Sequence, residues 1–239
     1  PMRREGYEFS VGRPEVIYRY EKNRRLEPME RLLVDCEERF LGVVTEKLSL
    51  RKGKMTNLTN NGNGRSRIEF SIPARALIGY REEFLTDTRG TGVIHSLFDG
   101  YEEFKGECPS RFTGSIVADR TGNAVPYALF NLEPRGRLFI VPGDPVYEGM
   151  IVGEHNRGED ISVNPCKEKK LSNMRAAGKD DNISLSPIRP ITLEQAISFI
   201  RGDELVEVTP RAVRMRKTVL SAQRRQTLRA CRIKKAKAA

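Results

Sequence analysis

Tryptophan is absent from the sequence, and histidine and cysteine are scarce, with two and four residues among 239. The cysteines lie at positions 36, 108, 166 and 231, so they form neither a CxxC pair nor the closely spaced framework of a small secreted protein. Two isolated histidines leave a structural zinc site with almost no ligands. We therefore predict reduced thiols and no bound metal.

Long apolar runs are also missing. A helix needs about 20 consecutive apolar residues to cross a bilayer, and the longest apolar runs here are only a few residues long. The chain does not open with a basic segment followed by an apolar one, as a secretory leader would. Apolar residues at 38% and charged residues at 31% are typical of a globular chain of one or two domains. We predict a cytoplasmic, monomeric protein that does not bind membranes.

The signature motifs of common enzymes do not occur either. The sequence contains no GxxxxGK[ST] phosphate-binding loop and no GxSxG nucleophile elbow. Glu102 and Glu103 could supply an acid and a base, but adjacent residues of an extended segment point to opposite faces. We therefore predict that this chain has no catalytic residues and holds no cofactor.

Basic residues are concentrated at one end of the chain. The net charge is +10, from 42 Lys and Arg against 32 Asp and Glu. Residues 211–239 contain eleven basic residues and no acidic one, so the first 210 residues have a net charge of only −1. A basic segment of this kind predicts a polyanionic partner, and nucleic acid is favoured over a membrane because the segment has few large apolar residues.

The pattern between positions 28 and 104 predicts a β-α-β-β-α-β order. Leu32, Val34 and Cys36 alternate as in a strand, a helix follows to Gly53, and a strand over 54–59 meets the hairpin signal Asn-Gly-Asn-Gly at 61–64. A return strand through Ile72, one helix from Pro73 to Gly90, and a last strand over 93–98 complete the order. This is the ferredoxin-like split βαβ arrangement, with both helices on one face of an antiparallel sheet.

After position 106, short apolar segments alternate with Gly and Pro turns. We predict strands over 115–118, 127–132, 138–141, 150–154, 205–209 and 212–217, and hence a β-rich, barrel-like domain. The motif Thr192-Leu193-Glu194-Gln195 is a capping box that predicts a helix ending near Gly202. The long segment 164–182 has no sustained period and is rich in Lys and Arg, which is typical of a functional or disordered loop.

Several motifs together resemble the C-terminal half of the BipA/TypA family of ribosome-binding translational GTPases. They are RREGYEF at 3–9, GRPEVI at 12–17, EPME at 27–30, IPARALIGY at 72–80, RGTG at 89–92, KKLSNMRA at 169–176 and TLEQA at 192–196. The resemblance implies an α+β chain of three parts: residues 1–26 as the end of an elongation-factor-like domain III, 27–105 as domain V, and 106–239 as the family's C-terminal domain.

The same resemblance implies a function. We expect the chain to bind the 70S ribosome through rRNA and A-site tRNA, and the parent protein to support 50S subunit assembly and translation under stress or cold. GTP and Mg would bind a domain upstream of this chain, which we take to be a fragment. The loop from Lys169 to Asp181 would reach toward the tRNA, and the edge from Arg51 to Arg65 would contact rRNA.

These arguments predict sixteen nucleic-acid-binding residues. The alternative left open is a protein-interaction scaffold that docks a partner on the open face of the ferredoxin-like sheet, with the basic end merely solubilising. The predicted residues are Arg51, Lys52, Lys54, Arg65, Lys167, Lys169, Lys170, Asn173, Arg175, Lys179, Arg189, Arg214, Arg216, Lys217, Arg224 and Arg225.

Overall fold

The computed structural model describes residues 2–60, 62–108, 111, 113–168, 185–188 and 190–238, with side chains up to Cys231. The chain divides into two compact units. The ferredoxin-like unit comprises residues 14–110, and the C-terminal unit comprises residues 1–13 together with 111–239.

Both units contain strands and α-helices. The strands are β1 (Phe9–Val11), β2 (Arg19–Glu21), β3 (Arg24–Glu37), β4 (Lys54–Asn60), β5 (Arg65–Pro73), β6 (Val93–Glu103), β7 (Gly114–Ala118), β8 (Gly122–Asn123), β9 (Gly136–Leu138), β10 (Pro145–Val146), β11 (Met150–His155), β12 (Ile161–Val163), β13 (Glu204–Val208) and β14 (Val213–Lys217). The helices are α1 (Leu41–Leu50), α2 (Ala74–Leu77), α3 (Tyr80–Asp87), α4 (Pro126–Leu132), α5 (Leu193–Phe199) and α6 (Ala222–Ala238).

The ferredoxin-like unit has an antiparallel sheet in the order β4-β5-β3-β6, and the short β2 pairs with the start of β3. In β3 the residues Leu32, Val34 and Cys36 are buried, and they share one core with Val44 and Leu48 of α1. Burying each large apolar side chain contributes about 1.5–3 kcal/mol. The period-two pattern thus sets the helix-facing side of the sheet, and the predicted α+β class and β-α-β-β-α-β order are confirmed.

The second helix of this unit is interrupted, which corrects the prediction of one helix from Pro73 to Gly90. Ile78 is extended and Gly79 has a positive φ of 81°, so α2 ends and α3 begins anew at Tyr80. Glycine adopts this conformation without the steric penalty that other residues meet. The end of α3 agrees better with the sequence, since the Gly90 amide donates to the Leu85 carbonyl and closes the last turn.

The C-terminal unit is built on a sheet in the order β1-β13-β14-β11-β7-β12, with β9 also paired to β11. All pairs in it are antiparallel except β12 with β7. In the part of the chain that the structure describes, no pairing joins β1 to β12. The β-rich prediction therefore holds, but these strands form an open sheet and not a closed barrel.

Residues 1–26 do not form a unit of their own. Strand β1 pairs with β13 of the C-terminal unit, whereas β2 pairs with β3 of the ferredoxin-like unit. The predicted origin of this segment in an upstream domain stays a prediction, as do the other predicted domain boundaries.

The segment 127–132 is a helix, which corrects the predicted strand. Pro126 is at the start of α4, where its missing amide hydrogen costs nothing. Ala128, Leu129 and Leu132 are buried on one side of the helix at helical spacing. A run this short fits either period, and here packing on the core selects the helix.

The capping box of α5 forms as predicted. The Thr192 hydroxyl accepts from the Gln195 amide at 3.3 Å, and the Gln195 side chain accepts from the Thr192 amide at 3.2 Å. The helix ends at Phe199, three residues before the predicted stop. Strands β13 and β14 follow at the predicted positions, and the basic end of the chain continues as α6.

Candidate nucleic-acid interface

Helix α6 carries much of the basic end of the chain. Its 17 residues give a length of about 25 Å. From Gln223 to Cys231 every side chain is exposed except that of Arg225, and the helix contains no acidic residue. The predicted residue Arg224 is among the exposed ones. Among the side chains that the structure describes on this helix, Arg224 and Arg229 therefore present positive charge to solvent.

The first turn of α6 is anchored to the unit. The Ala222 amide donates to the Glu148 carboxylate at 2.8 Å, which places a negative charge at the helix N-terminus. The backbone of Gly149 packs closely against Leu220, just before the helix, since a Cβ on Gly149 would lie 2.7 Å from Leu220 Cα. Arg225 donates to the carbonyls of Val219 and Leu220. This corrects its assignment as a nucleic-acid ligand, because its guanidinium fixes the helix start.

One ion pair restrains the described part of α6. Arg229 lies 3.2 Å from Glu159, but both side chains are more than 60% exposed, and such pairs contribute about 0–1 kcal/mol. Phosphate could displace this carboxylate at little cost. The exposed side of α6 is therefore open to a polyanion.

Strand β14 contains two of the predicted nucleic-acid-binding arginines, and they differ in their ion pairing. Arg216 pairs with Glu207 at 2.6 Å, and Glu207 also accepts from the Tyr147 hydroxyl at 2.5 Å. Burial, together with that bond to Glu207, raises the pKa of Tyr147, so its hydroxyl remains a donor. Arg214 has no ion pair among the described residues and is half-buried.

Lys217 was predicted to bind nucleic acid, and the structure contradicts this. Its side chain is 2% exposed, and its ammonium contacts Asp160 at 2.5 Å, Asp203 at 2.9 Å and Glu204 at 2.9 Å. Burial alone would lower the pKa of Lys217, but Glu204 and Asp160 outweigh that effect and raise it. Lys217 is thus a buried cation that ties β14 to its neighbours and cannot reach a phosphate.

A groove of about 350 Å³ lies beside the predicted residue Lys167, between α4 and the end of β12. Lys167 and Arg135 are exposed at its edge, and the partly buried Tyr127 lines it. A cation beside an aromatic ring suits a nucleotide, whose phosphate needs a positive charge and whose base needs a flat surface. Sequence reasoning missed Tyr127 and Arg135, because the strand predicted over 127–132 does not place them beside Lys167.

Six predicted residues lie outside the described part of the chain, and the structure adds nothing about them. They are Lys169, Lys170, Asn173, Arg175, Lys179 and Arg189.

The four predicted nucleic-acid-binding residues of the ferredoxin-like unit differ in their exposure to solvent. Lys52 is exposed in the turn before β4, and Lys54 is exposed at the start of that strand. Arg65 is half-buried and pairs with Asp35 at 2.6 Å. Arg51 contradicts the prediction, since it is 4% exposed, donates to the Ala76 carbonyl at 2.8 Å and pairs with Glu83 at 2.7 Å.

Among the described residues, no group of three His, Cys, Asp or Glu side chains is placed to hold a metal ion. No described helix is both long and apolar enough to span a bilayer. The described chemistry is that of exposed cations and a few aromatic rings.

The fold and this basic surface define an α+β chain of two units, of which the first has the fold of an elongation-factor C-terminal domain. Residues 24–112 match the family described as elongation factor G C-terminus, and residues 113–222 match the TypA/BipA C-terminal domain. A crystal structure of a protein from Thermus thermophilus covers 34% of this chain and 12% of that chain, at 24% identity and a TM-score of 0.33, which is too low to support an argument.

Curated relatives of this chain carry the name large ribosomal subunit assembly factor BipA. The proteins of Haemophilus influenzae, Escherichia coli K12 and Salmonella typhimurium are 49%, 47% and 46% identical over 226 residues. The match covers 94% of this chain and 37% of each relative. The chain belongs to the TypA/BipA family and carries its C-terminal domains.

Proposed function

We propose that this chain is the ribosome-binding part of a BipA-type large-subunit assembly factor, and that it binds rRNA and A-site tRNA without chemistry of its own. The names of the curated relatives support the ribosomal partner. The observation that carries the proposal is α6, a helix without acidic residues that is anchored at its first turn by Glu148 and whose side chains from Gln226 to Cys231 are exposed. A polyanion is the partner such a surface fits.

The wider activity belongs to the parent protein. Family resemblance supports GTP hydrolysis with Mg in an upstream domain, and a role in 50S assembly and in translation under stress or cold. The segment 169–181 would approach the tRNA, and Lys52 and Lys54 would contact rRNA. We also propose a cytoplasmic, monomeric protein.

The test is the salt dependence of binding to purified 50S subunits, measured by co-sedimentation. Each phosphate contact adds about 0.9 or less to the steepness of the fall of log K with log salt concentration. If several such contacts form, raising the salt concentration from about 50 to 200 mM weakens binding by orders of magnitude. The informative variant replaces Arg224, Arg229, Lys234 and Lys235 by Ala. It leaves β14 intact, unlike a deletion from residue 211, which would remove a strand from the sheet.

The matched control makes the same change in charge elsewhere on the C-terminal unit, at four exposed residues. We expect the α6 variant to lose affinity and part of the salt slope while the control keeps both. Equal affinity of the two variants would contradict the proposal. The control residues are Arg4, Arg120, Arg137 and Arg157.

The second candidate, a scaffold that docks a protein on the open sheet face, has one observation in its favour. Leu97 on β6 is 71% exposed on the face away from the helices. Its cross-strand neighbour Arg31 pairs with Asp99 at 2.9 Å, so the apolar area is broken by charge. A scaffold of this kind would bind equally well with the α6 variant, and the same experiment separates the two.

A further inference from the structure

A second cleft in the C-terminal unit shares Arg214 of β14 with the surface described above. It encloses about 400 Å³ between the segment 139–145, the turn at 209–212 and strand β14. This volume lies within the range of small-ligand pockets, about 300–1,000 Å³. All the residues that line it belong to one unit.

Packed apolar side chains form part of the wall of the cleft, and polar groups form about as much of it. Met150, Ile151 and Met215 are buried there, and Ile151 lies directly opposite Met215 in the sheet. Phe139 also lines the cleft, and its ring packs edge-on against Phe199 with centroids 5.3 Å apart. Since Met150, Ile151 and Met215 are almost fully buried, a flat ligand would meet chiefly the half-buried Phe139, whose ring already holds its position.

Three arginines lie around these apolar side chains. Arg3 donates to the carbonyls of Thr209 and Pro210 at 3.0 and 3.3 Å, which fixes its guanidinium at the turn. Arg211 is exposed and Arg214 half-buried, and neither has an ion pair within the described segments. The acidic residue opposite Arg214 in the sheet is Glu207, and its carboxylate already pairs with Arg216 and accepts a hydrogen bond from Tyr147.

One carboxylate shares the cleft with these cations. Asp144 accepts from the Val141 amide at 2.9 Å through Oδ2, which holds the carboxylate in place. Its negative charge repels a phosphate, so a bound phosphate must lie at the arginines. The other oxygen of Asp144 can accept a hydrogen bond from an amino group.

We propose that this cleft binds one unstacked nucleotide of RNA that carries an exocyclic amino group. The base lies against the apolar part of the wall, its amino group donates to Asp144, and the adjacent phosphate meets Arg211 and Arg214. Single-stranded RNA is recognised in this way when bases are splayed out and stacked on side chains. The inference rests on the proposed function, since it specifies one nucleotide of the RNA that the C-terminal unit binds.

The experiment uses the full chain and fluorescein-labelled single-stranded RNA octamers, with affinity measured by anisotropy at several salt concentrations. The test variant is Arg211→Ala/Arg214→Ala, and the control is Arg137→Ala/Arg157→Ala, which removes the same charge from exposed positions of the same unit. We expect the test variant to bind at least about tenfold more weakly and its salt slope to fall by about 2, with the control unchanged. Thermal unfolding of both variants verifies that they fold.

The role of Asp144 is tested with guanosine against inosine, which lacks the amino group. The wild type should prefer a guanosine octamer to an inosine octamer severalfold. In Asp144→Asn the side-chain oxygen can still accept from the Val141 amide, but the second carboxylate oxygen is replaced by an NH2 group, which donates and cannot accept. The preference for guanosine over inosine should therefore disappear.

The outcomes separate this inference from the proposed function. Equal loss of RNA binding in the test and control variants overturns the cleft assignment and leaves the ribosomal function standing. Failure of the wild type to bind 50S subunits in the salt experiment overturns the function itself. Displacement of the octamer by micromolar free guanosine monophosphate contradicts RNA as the source of the nucleotide.

Discussion

Lys217 and Glu204 form an ion pair inside the C-terminal unit, with Nζ and Oε1 2.9 Å apart and side chains 2% and 0% exposed. Replacing the lysine leaves the buried Glu204 carboxylate with only the longer ion pair to Arg111, at 3.4 Å. We expect Lys217→Met to lower the free energy of unfolding by about 3–5 kcal/mol, measured by urea denaturation. The exposed Arg224→Met is the control, and its effect should stay within about 0.5 kcal/mol. Coincident urea transitions for the two variants would refute a stabilising role for Lys217.

The ion pair between Lys217 and Asp160 makes stability depend on acid. Burial opposes the ionisation of Asp160, but the hydrogen bond and charge of Lys217 outweigh it and hold the pKa of Asp160 below its ordinary 3.8. The pKa of Glu83 is likewise lowered, because Lys47 and Arg51 outweigh burial. A carboxyl group with a depressed folded-state pKa contributes stability above its unfolded pKa and loses it as the pH falls through the folded pKa.

We therefore expect the free energy of unfolding to fall as the pH drops below about 4. In Lys217→Met the cation that depresses the pKa of Asp160 is gone, so the acid-induced loss should be smaller. Thermal unfolding followed by circular dichroism between pH 3 and 7 measures both. Parallel pH profiles for wild type and variant would rule out this linkage.

The capping box of α5 gives a third prediction. Thr192→Ala removes the hydroxyl that accepts from the Gln195 amide, and we expect a loss of about 1 kcal/mol in unfolding free energy. Thr192→Ser keeps the acceptor and serves as the control. A serine variant as unstable as the alanine variant would show that the methyl group, and not the cap, matters.

The groove beside Lys167 gives a fourth prediction. Lys167 and Arg135 are exposed, so Lys167→Ala/Arg135→Ala should leave the unfolding temperature unchanged. If both contact phosphate, the slope of log K against log salt for 50S binding should fall by about 2. Arg4→Ala/Arg157→Ala removes the same charge and should leave the slope unaltered. Identical slopes for the two double variants would exclude the groove from the interface.

Much of the fold can be predicted from the sequence, because period-two and helical patterns mark which side of each element is buried. The alternation Leu32, Val34, Cys36 sets the helix-facing side of β3, and the sheet order then follows from the β-α-β-β-α-β sequence. The interruption at Gly79 and the helix at 126–132 could not be predicted as securely. Both depend on how a few residues pack, and short patterns do not determine packing.

The candidate site is harder to predict, because charge alone does not say whether a side chain is exposed. Alternation in β14 does place Lys217 on the inner side with Met215, so its burial could have been inferred. Its partner Asp160 comes from 57 residues away in the chain, and Arg51 meets Glu83 across 32 residues. Partners this distant leave no local pattern in the sequence.

Strand β1 has a consequence for the order of events during synthesis. It pairs with β13, so the C-terminal unit uses residues from both sides of the ferredoxin-like unit. At a translation rate of about 5–20 residues per second, β1 waits roughly 10–40 s for its partner, while residues 14–110 can already fold. A fragment that begins after residue 110 would leave the free edge of β13 unpaired, ready to pair with another chain.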